Sequence, residues 1–174
     1  LAEGVSGGFA GVYPVLKALE ERGEVRRGYF VAGLGAAQFA LPGAVDRLRA
    51  VRQVEQAEAP IVLAATDPAQ PYGAAVAWPE SQGRPARSAG AHVVLIDGDP
   101  VVLVERGGRS LVTFPGATET DAWIEAVQGL VKNGRLAELE IAKVDGEPVR
   151  ATPLAARLEA AGFSPGYKGM TYRG

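Results

Sequence analysis

The 174-residue chain is 47% hydrophobic, carries a formal net charge of −2, and contains one histidine and no cysteine. Disulfides and thiolate chemistry are thereby excluded, and a zinc site, which draws on several His or Cys ligands, is disfavoured. No apolar run approaches the roughly 20 residues of a membrane span, and the start, LAEGVSGGF, shows no basic segment ahead of an apolar one; the expectation is a soluble cytoplasmic protein with no membrane partner. Residues 1–54 hold seven basic against five acidic side chains, the remainder eleven against fifteen, and fourteen of the eighteen cations are Arg. Arg suits bidentate phosphate contact, so a mildly basic front segment is compatible with nucleic acid. Arg-for-Lys usage reflects a GC-rich genome equally well.

Gly4 to Gly11 is too glycine-rich for a helix interior. Val12, Val15, Leu16 and Leu19 then fall at helical spacing, which predicts a helix from Val12 to Arg22 with Pro14 in its first turn and Gly23 as its stop. Glu24 to Phe30 reads as a short basic strand bending at Gly28, and Val31 to Ala40 returns as a second strand ending in AAQFA. A helix followed by a two-stranded basic flap is the back half of a winged helix, as if the chain began inside a domain. Pro42 opens another helix, from Ala44 to about Gln53, with Val45, Leu48 and Val51 on one stripe and Arg47, Arg49 and Arg52 elsewhere. Gln53 to Pro60 is polar and acidic and predicts a linker, which makes residues 1–54 and 55–174 separate domains.

In the second part, Ile61 to Ala65 predicts a strand, TDPAQPYGA a turn-rich loop, Ala74 to Trp78 another strand and Pro79 to Arg84 another loop. The most informative stretch is Ala91 to Phe114. Two apolar runs, Val93 to Ile96 and Val101 to Val104, flank Asp97-Gly98, and Asp and Gly tolerate the positive φ of a tight hairpin turn. Pro100 sits at a strand's first position, where its missing donor is tolerated. Gly107-Gly108 reverses the chain again into Arg109 to Phe114. Neither of the first two strands alternates apolar with polar, so both faces should be covered, as at the centre of a closed or strongly curled sheet. A helix capped by Thr118 or Thr120 and running to about Lys132 turns Trp123, Val127, Leu130 and Val131 inward. Leu136 to Val144 follows as a strand, Asp145-Gly146 as a turn, and Thr152 and Pro153 cap and start a last helix ending at Gly162. GYKGMTYR closes the chain as a strand. The fold class is α+β: a partial winged helix, then a curled or barrel-like antiparallel sheet with flanking helices.

Nucleotide motifs are absent. There is no GxxxxGK[ST], the Gly33-x-Gly35 pair has Gln38 where a dinucleotide fingerprint wants its third Gly, and none of the five serines stands in GxSxG. His92, at a strand's start, reads as structural before catalytic. Asp67 follows a buried strand and precedes two prolines on a rigid loop, where a carboxylate can serve as general acid or base; Asp67-Pro68 is also an ordinary turn initiator. Trp78, beside Pro79, offers a face for stacking on a base or packs in the core. Arg26 and Arg27 lie on the flap with Arg22 behind them, in reach of phosphate. Arg106 and Arg109 flank the Gly107-Gly108 turn, where solvated strand ends account for them equally.

Several stretches resemble one family. GGFAGVYPVLKALEERGEVRRGYFVAGLGAAQFALPGAVDRLR, Gly7 to Arg49, resembles the winged-helix segment of the C-terminal region of large helicase-related (Lhr) proteins. LAATDPAQPYGAAVAWP (Leu63 to Pro79), GAHVVLIDGDPVVLVERGGRSLVTF and TPLAARLEAAGF match the same region. The resemblance implies a superfamily 2 DNA helicase whose motor domains, with their ATP and magnesium, lie upstream and are absent from this sequence, so that no cofactor is expected here. It further implies winged-helix and β-barrel modules shared with alkylation-repair DNA glycosylases of the AlkZ type, and uracil removal from DNA. DNA and the upstream motor domains are the implied partners, with room for a homo-oligomer.

Residue by residue, Gln38 and Arg26-Arg27 match the wing motif, Asp67 and Tyr72 the loop after the first barrel strand, and the hairpin the barrel core. Asp67 is then the expected catalytic group, and Arg22, Arg26, Arg27, Gln38, Tyr72, Trp78, Arg106 and Arg109 are the expected nucleic-acid contacts. The glutamine pair that marks the glycosylases' active site has no counterpart, and no carboxylate follows Glu159. The reading is a DNA-binding accessory region of an Lhr-type helicase with a glycosylase-type pocket. Its rivals are a non-catalytic module that assembles the helicase through protein contacts, and a stand-alone glycosylase.

Overall fold

A computed structural model of the chain describes residues 6–35, 37–51 and 59–174. The chain divides into two compact units, Leu1–Gln56 with Ala74–Val76, and Ala57–Gly73 with Ala77–Gly174. In the first, helix α1 spans Gly8–Glu21 and α2 spans Pro42–Val51. Between them β1, Arg26–Gly28, pairs antiparallel with β2, Gln38–Ala40, with Arg26 opposite Ala40 and Gly28 opposite Gln38. The flap is therefore present, shorter than its sequence suggests. Tyr13 joins α1 to β2 through an edge contact with Phe39 at 6.0 Å between ring centres.

The first helix starts at Gly8, inside the stretch expected to be too glycine-rich for one. Gly7 and Gly8 take φ values of 81° and 56°, which turn the chain into the helix, and a side chain at Gly11 would press on the Ser6 carbonyl oxygen at 2.8 Å. Glycine here permits a tight approach before it weakens a helix. Pro14 consequently lies within α1 rather than in its first turn, at the expense of one ladder hydrogen bond. Ala36, the end of the helix expected to reach Gln53, and the linker residues up to 58 lie outside the described residues. Neither helix of this unit buries a residue.

The second unit runs β3 (Ile61–Ala64), β4 (His92–Ile96), β5 (Asp99–Val104), β6 (Ser110–Thr113), α3 (Ala122–Lys132), β7 (Leu139–Ile141), β8 (Lys143–Val144), β9 (Glu147–Pro148), α4 (Leu154–Ala160), β10 (Ser164–Pro165) and β11 (Met170–Tyr172). Six strands form one sheet in the order β3-β4-β5-β6-β8-β9, and three form another, β10-β11-β7. Pairing in the larger sheet is antiparallel except between β6 and β8. It stays open, with β3 and β9 as its edges among the described residues. Asp97 and Gly98, at φ 51° and 87°, make the expected tight turn, and Asp145-Gly146 repeats it at 54° and 91°.

The meander is covered on both faces, as its unbroken apolar runs require. Val94, Val102, Val104 and Leu111 pack with Trp123, Ile124 and Val127 of α3 and Leu158 of α4. On the other face Val93, Leu95, Leu103, Val112 and Phe114 pack with Ala65, Ala91, Tyr72 and Trp78. The loop between β3 and β4 thus does the covering that a second helix layer would do elsewhere.

Three expectations need correction. Leu136 to Val144 is not one strand: the N–H groups of Ala142 and Lys143 both donate to the Arg109 carbonyl, at 2.8 and 3.2 Å, and the chain passes there from one sheet to the other. Ala74 to Trp78 is turn and coil apart from a single bridge residue at Val76. Thr152 does not cap the last helix, because its hydroxyl donates to the Val149 carbonyl at 2.7 Å. Thr120 does support α3, accepting from the Ala122 N–H at 3.1 Å.

Candidate functional site

On the flap, neighbouring strand positions face opposite ways. Arg27 turns towards α1, where its Nη1 donates to the Tyr13 hydroxyl at 3.3 Å and its Nε lies 3.4 Å from the Glu20 carboxylate. Arg26 is exposed and is the outward cation of the flap. Arg22, at the end of α1, lies 2.8 Å from Glu24. Gln38 works inside the loop that joins β1 to β2. Its Oε1 accepts from the N–H groups of Phe30 and Val31 at 2.9 and 2.8 Å, and its Nε2 donates to the carbonyls of Val31, Leu34 and Gly35. The amide is used up in shaping the flap.

The loop after β3 is built around Asp67 and a residue that sequence reasoning passed over, Gln70. The Asp67 carboxylate accepts from the Ala69 N–H at 2.8 Å, and its backbone carbonyl accepts from the Gln70 N–H at 3.0 Å, an Asx-type turn. Gln70 is fully buried. Its Nε2 donates to the carbonyls of Ala65 and Tyr72 at 3.1 and 2.9 Å, and its Oε1 accepts from the Tyr72 N–H. From outside, the Arg87 guanidinium donates to the carbonyls of Ala65, Thr66 and Asp67. Neither Gln70 nor Arg87 belongs to a periodic pattern, so no sequence signal marks them.

Tyr72 and Trp78 come together here. The Tyr72 hydroxyl donates to the Gly98 carbonyl at 3.1 Å and approaches Asp99 at 3.4 Å. Burial, and after it the Asp99 carboxylate, push the phenol above its ordinary 10.0. Trp78 stacks with Tyr72 at 6.0 Å and with Phe114 at 5.6 Å, and a side chain at Gly73 would collide with its indole nitrogen. The indole is held by the fold on several sides.

The other candidates stand apart from this loop. Arg106 is exposed, with its stem against Gly90, where an added Cβ would lie 3.2 Å from the arginine Cγ. Arg109 is exposed and lies 3.5 Å from Glu140. His92 has a buried Nδ1 with no hydrogen-bond partner among the described residues, and burial, then the charge of Arg135, hold its pKa below 6.5. Among the described residues no group of three or more His, Cys, Asp or Glu could hold a metal ion, and no helix is long and apolar enough to cross a membrane.

Residues 1–60 match the family model of the winged-helix domain of large helicase-related proteins. Over 155 residues, 85% of this chain, the sequence is 48% identical to a Mycolicibacterium smegmatis protein named "Lhr helicase/probable uracil glycosylase". Over 180 residues, 99% of this chain, it is 33% identical to an Escherichia coli protein named "Lhr helicase/uracil glycosylase". The chain spans 10% and 12% of the lengths of these relatives.

Proposed function

We propose that this chain, which belongs to the large helicase-related family, is a DNA-binding accessory region that works beside helicase motor domains of the same polypeptide and removes uracil from DNA. The observation that carries the reading is the alignment of proteins named as both helicase and uracil glycosylase across 85% and 99% of this chain. The flap supports the DNA half, since Arg26 projects a cation from a strand whose loop Gln38 stiffens, an arrangement fitted to phosphate contact. Arg22 is a second exposed cation of the same unit, and Arg106 and Arg109 are exposed cations of the other unit.

For the chemical half, breaking a glycosidic bond needs a carboxylate to activate water or stabilise the cationic sugar, and an aromatic to offset the cost of flipping the base. Asp67 and the Tyr72–Trp78 pair are the groups the sequence singles out for these tasks. A second reading, a module without catalysis, is favoured by one observation: the Asp67 carboxylate closes its own turn on the Ala69 N–H.

DNA binding by the full-length protein tests the first half. Replacing Arg26 with Ala should weaken binding to all sequences alike and reduce the slope of log affinity against log salt by about 0.7 to 0.9, the value of one phosphate contact. An unchanged slope and affinity would take the flap off the DNA.

A further inference from the structure

Two clefts of the second unit meet at one carboxylate. The larger, about 540 Å³, has the apolar Trp123, Val144 and Leu154, hydroxyls from Thr118 and Thr152, and the charged Glu147 and Arg157 in its lining. The smaller, about 350 Å³, carries two cations, Arg84 and Lys143, together with Glu105. Gln82 and Asp145 line both.

Asp145 is held there with unusual firmness for a turn residue. One oxygen accepts from the Thr113 N–H at 2.8 Å and the other from the Thr113 hydroxyl at 2.6 Å. The facing loop closes in so tightly that a Cβ at Gly83 would come within 3.0 Å of Oδ1. An Asp-Gly turn requires none of this, since Asp adopts positive φ without a clamp on its carboxylate. Each oxygen keeps a second lone pair for another partner.

We propose that the two clefts form one nucleotide site: the larger takes a pyrimidine base, the smaller the adjoining phosphate, and Asp145 faces the sugar carbon between them. The proposal rests on the reading that this region removes uracil, and it assigns the chemistry to Asp145 rather than Asp67. A flat heterocycle suits apolar walls with a few hydroxyls, and a phosphate suits Arg and Lys. The sugar gains positive charge as the bond to the base breaks, and a fixed carboxylate beside it opposes that cost. In the step itself, the oxygen of a water bonds to C1′ as the C1′–N1 bond breaks. The electron pair of that bond leaves on uracil, which takes a proton from solvent, while Asp145 accepts the proton the water loses.

The test is single-turnover uracil release from uracil-containing single-stranded DNA by the full-length protein and three variants. Asp145→Asn keeps the shape and removes the charge; Thr118→Trp fills the larger cleft from its exposed rim; Glu159→Gln, at an exposed carboxylate outside both clefts, is the comparison. Asp145→Asn and Thr118→Trp should each slow release by about 100-fold or more, with melting temperature and DNA affinity retained, while Glu159→Gln releases at the parent rate. Folded Asp145→Asn and Thr118→Trp proteins releasing at the parent rate would overturn the site and leave the glycosylase reading standing. No release by the parent protein would overturn both.

Discussion

Gln70 grips Tyr72 by both of its backbone polar groups: the glutamine Nε2 donates to the tyrosine carbonyl at 2.9 Å while its Oε1 accepts from the tyrosine N–H. This buried amide decides the course of the loop that covers one face of the meander. Gln70→Ala would leave the Ala65 carbonyl and two Tyr72 backbone groups without these partners. A buried orphan costs about 1–3 kcal/mol, and in a protein of this size each kcal/mol is worth about 2–4 °C. Thermal unfolding should show a loss of about 5 °C or more. A melting temperature equal to the parent's would mean that water replaces the amide without penalty.

Double-faced burial of the meander has its own test. Leu95 is 8% exposed and Val102 not at all, and they belong to opposite faces. An Asp at either position places an unpaired charge in an apolar core, at a cost of several kcal/mol. Circular dichroism should show Leu95→Asp and Val102→Asp both losing the cooperative transition or melting far below the parent. Parent-like melting of either variant would expose that face to solvent.

His92 gives the fold a pH dependence of known sign. Burial and Arg135 hold its folded pKa below 6.5, so the unfolded chain takes up a proton that the folded chain resists. The histidine's contribution is complete above pH 6.5 and is lost as pH falls from there through the folded value. The stability read by chemical denaturation of the parent should therefore fall as the pH drops below about 6.5, and His92→Gln should flatten that decline. Equal slopes in parent and variant would assign the decline to other groups.

Gln38 shapes the flap through its backbone partners, so its removal should act on DNA binding indirectly. In Gln38→Ala the β1–β2 loop loses the partners of Phe30, Val31 and Leu34. Hydrogen exchange of the Phe30 and Val31 amides should speed up, and the salt slope of DNA binding should stay at the parent value while affinity falls. A lower slope would make Gln38 part of the charged contact surface.

Local chemistry made much of this fold readable. Asp97-Gly98 between two apolar runs determines a hairpin because only a few residues accept its positive φ, and unbroken apolar strands need cover on both faces. What escaped was long-range polar pairing. The clamp of Thr113 on Asp145 and the three bonds from Arg87 to the Asp67 loop link residues far apart in sequence, and no periodicity records them. Leu136 to Val144 misled for a related reason: its alternation is compatible with a strand, while the shared Arg109 carbonyl that divides it lies in another part of the chain. The helix start at Gly8 escaped because the propensity of glycine disfavours helix where the close approach to Ser6 requires glycine.

The most direct measurement compares uracil release from single-stranded DNA by the full-length protein with release by the same protein lacking residues 61–174. The intact protein should release uracil and the shortened one none, with the shortened protein still folded. Undiminished release without residues 61–174 would place the glycosylase elsewhere in the polypeptide and contradict the assignment of uracil removal to this region.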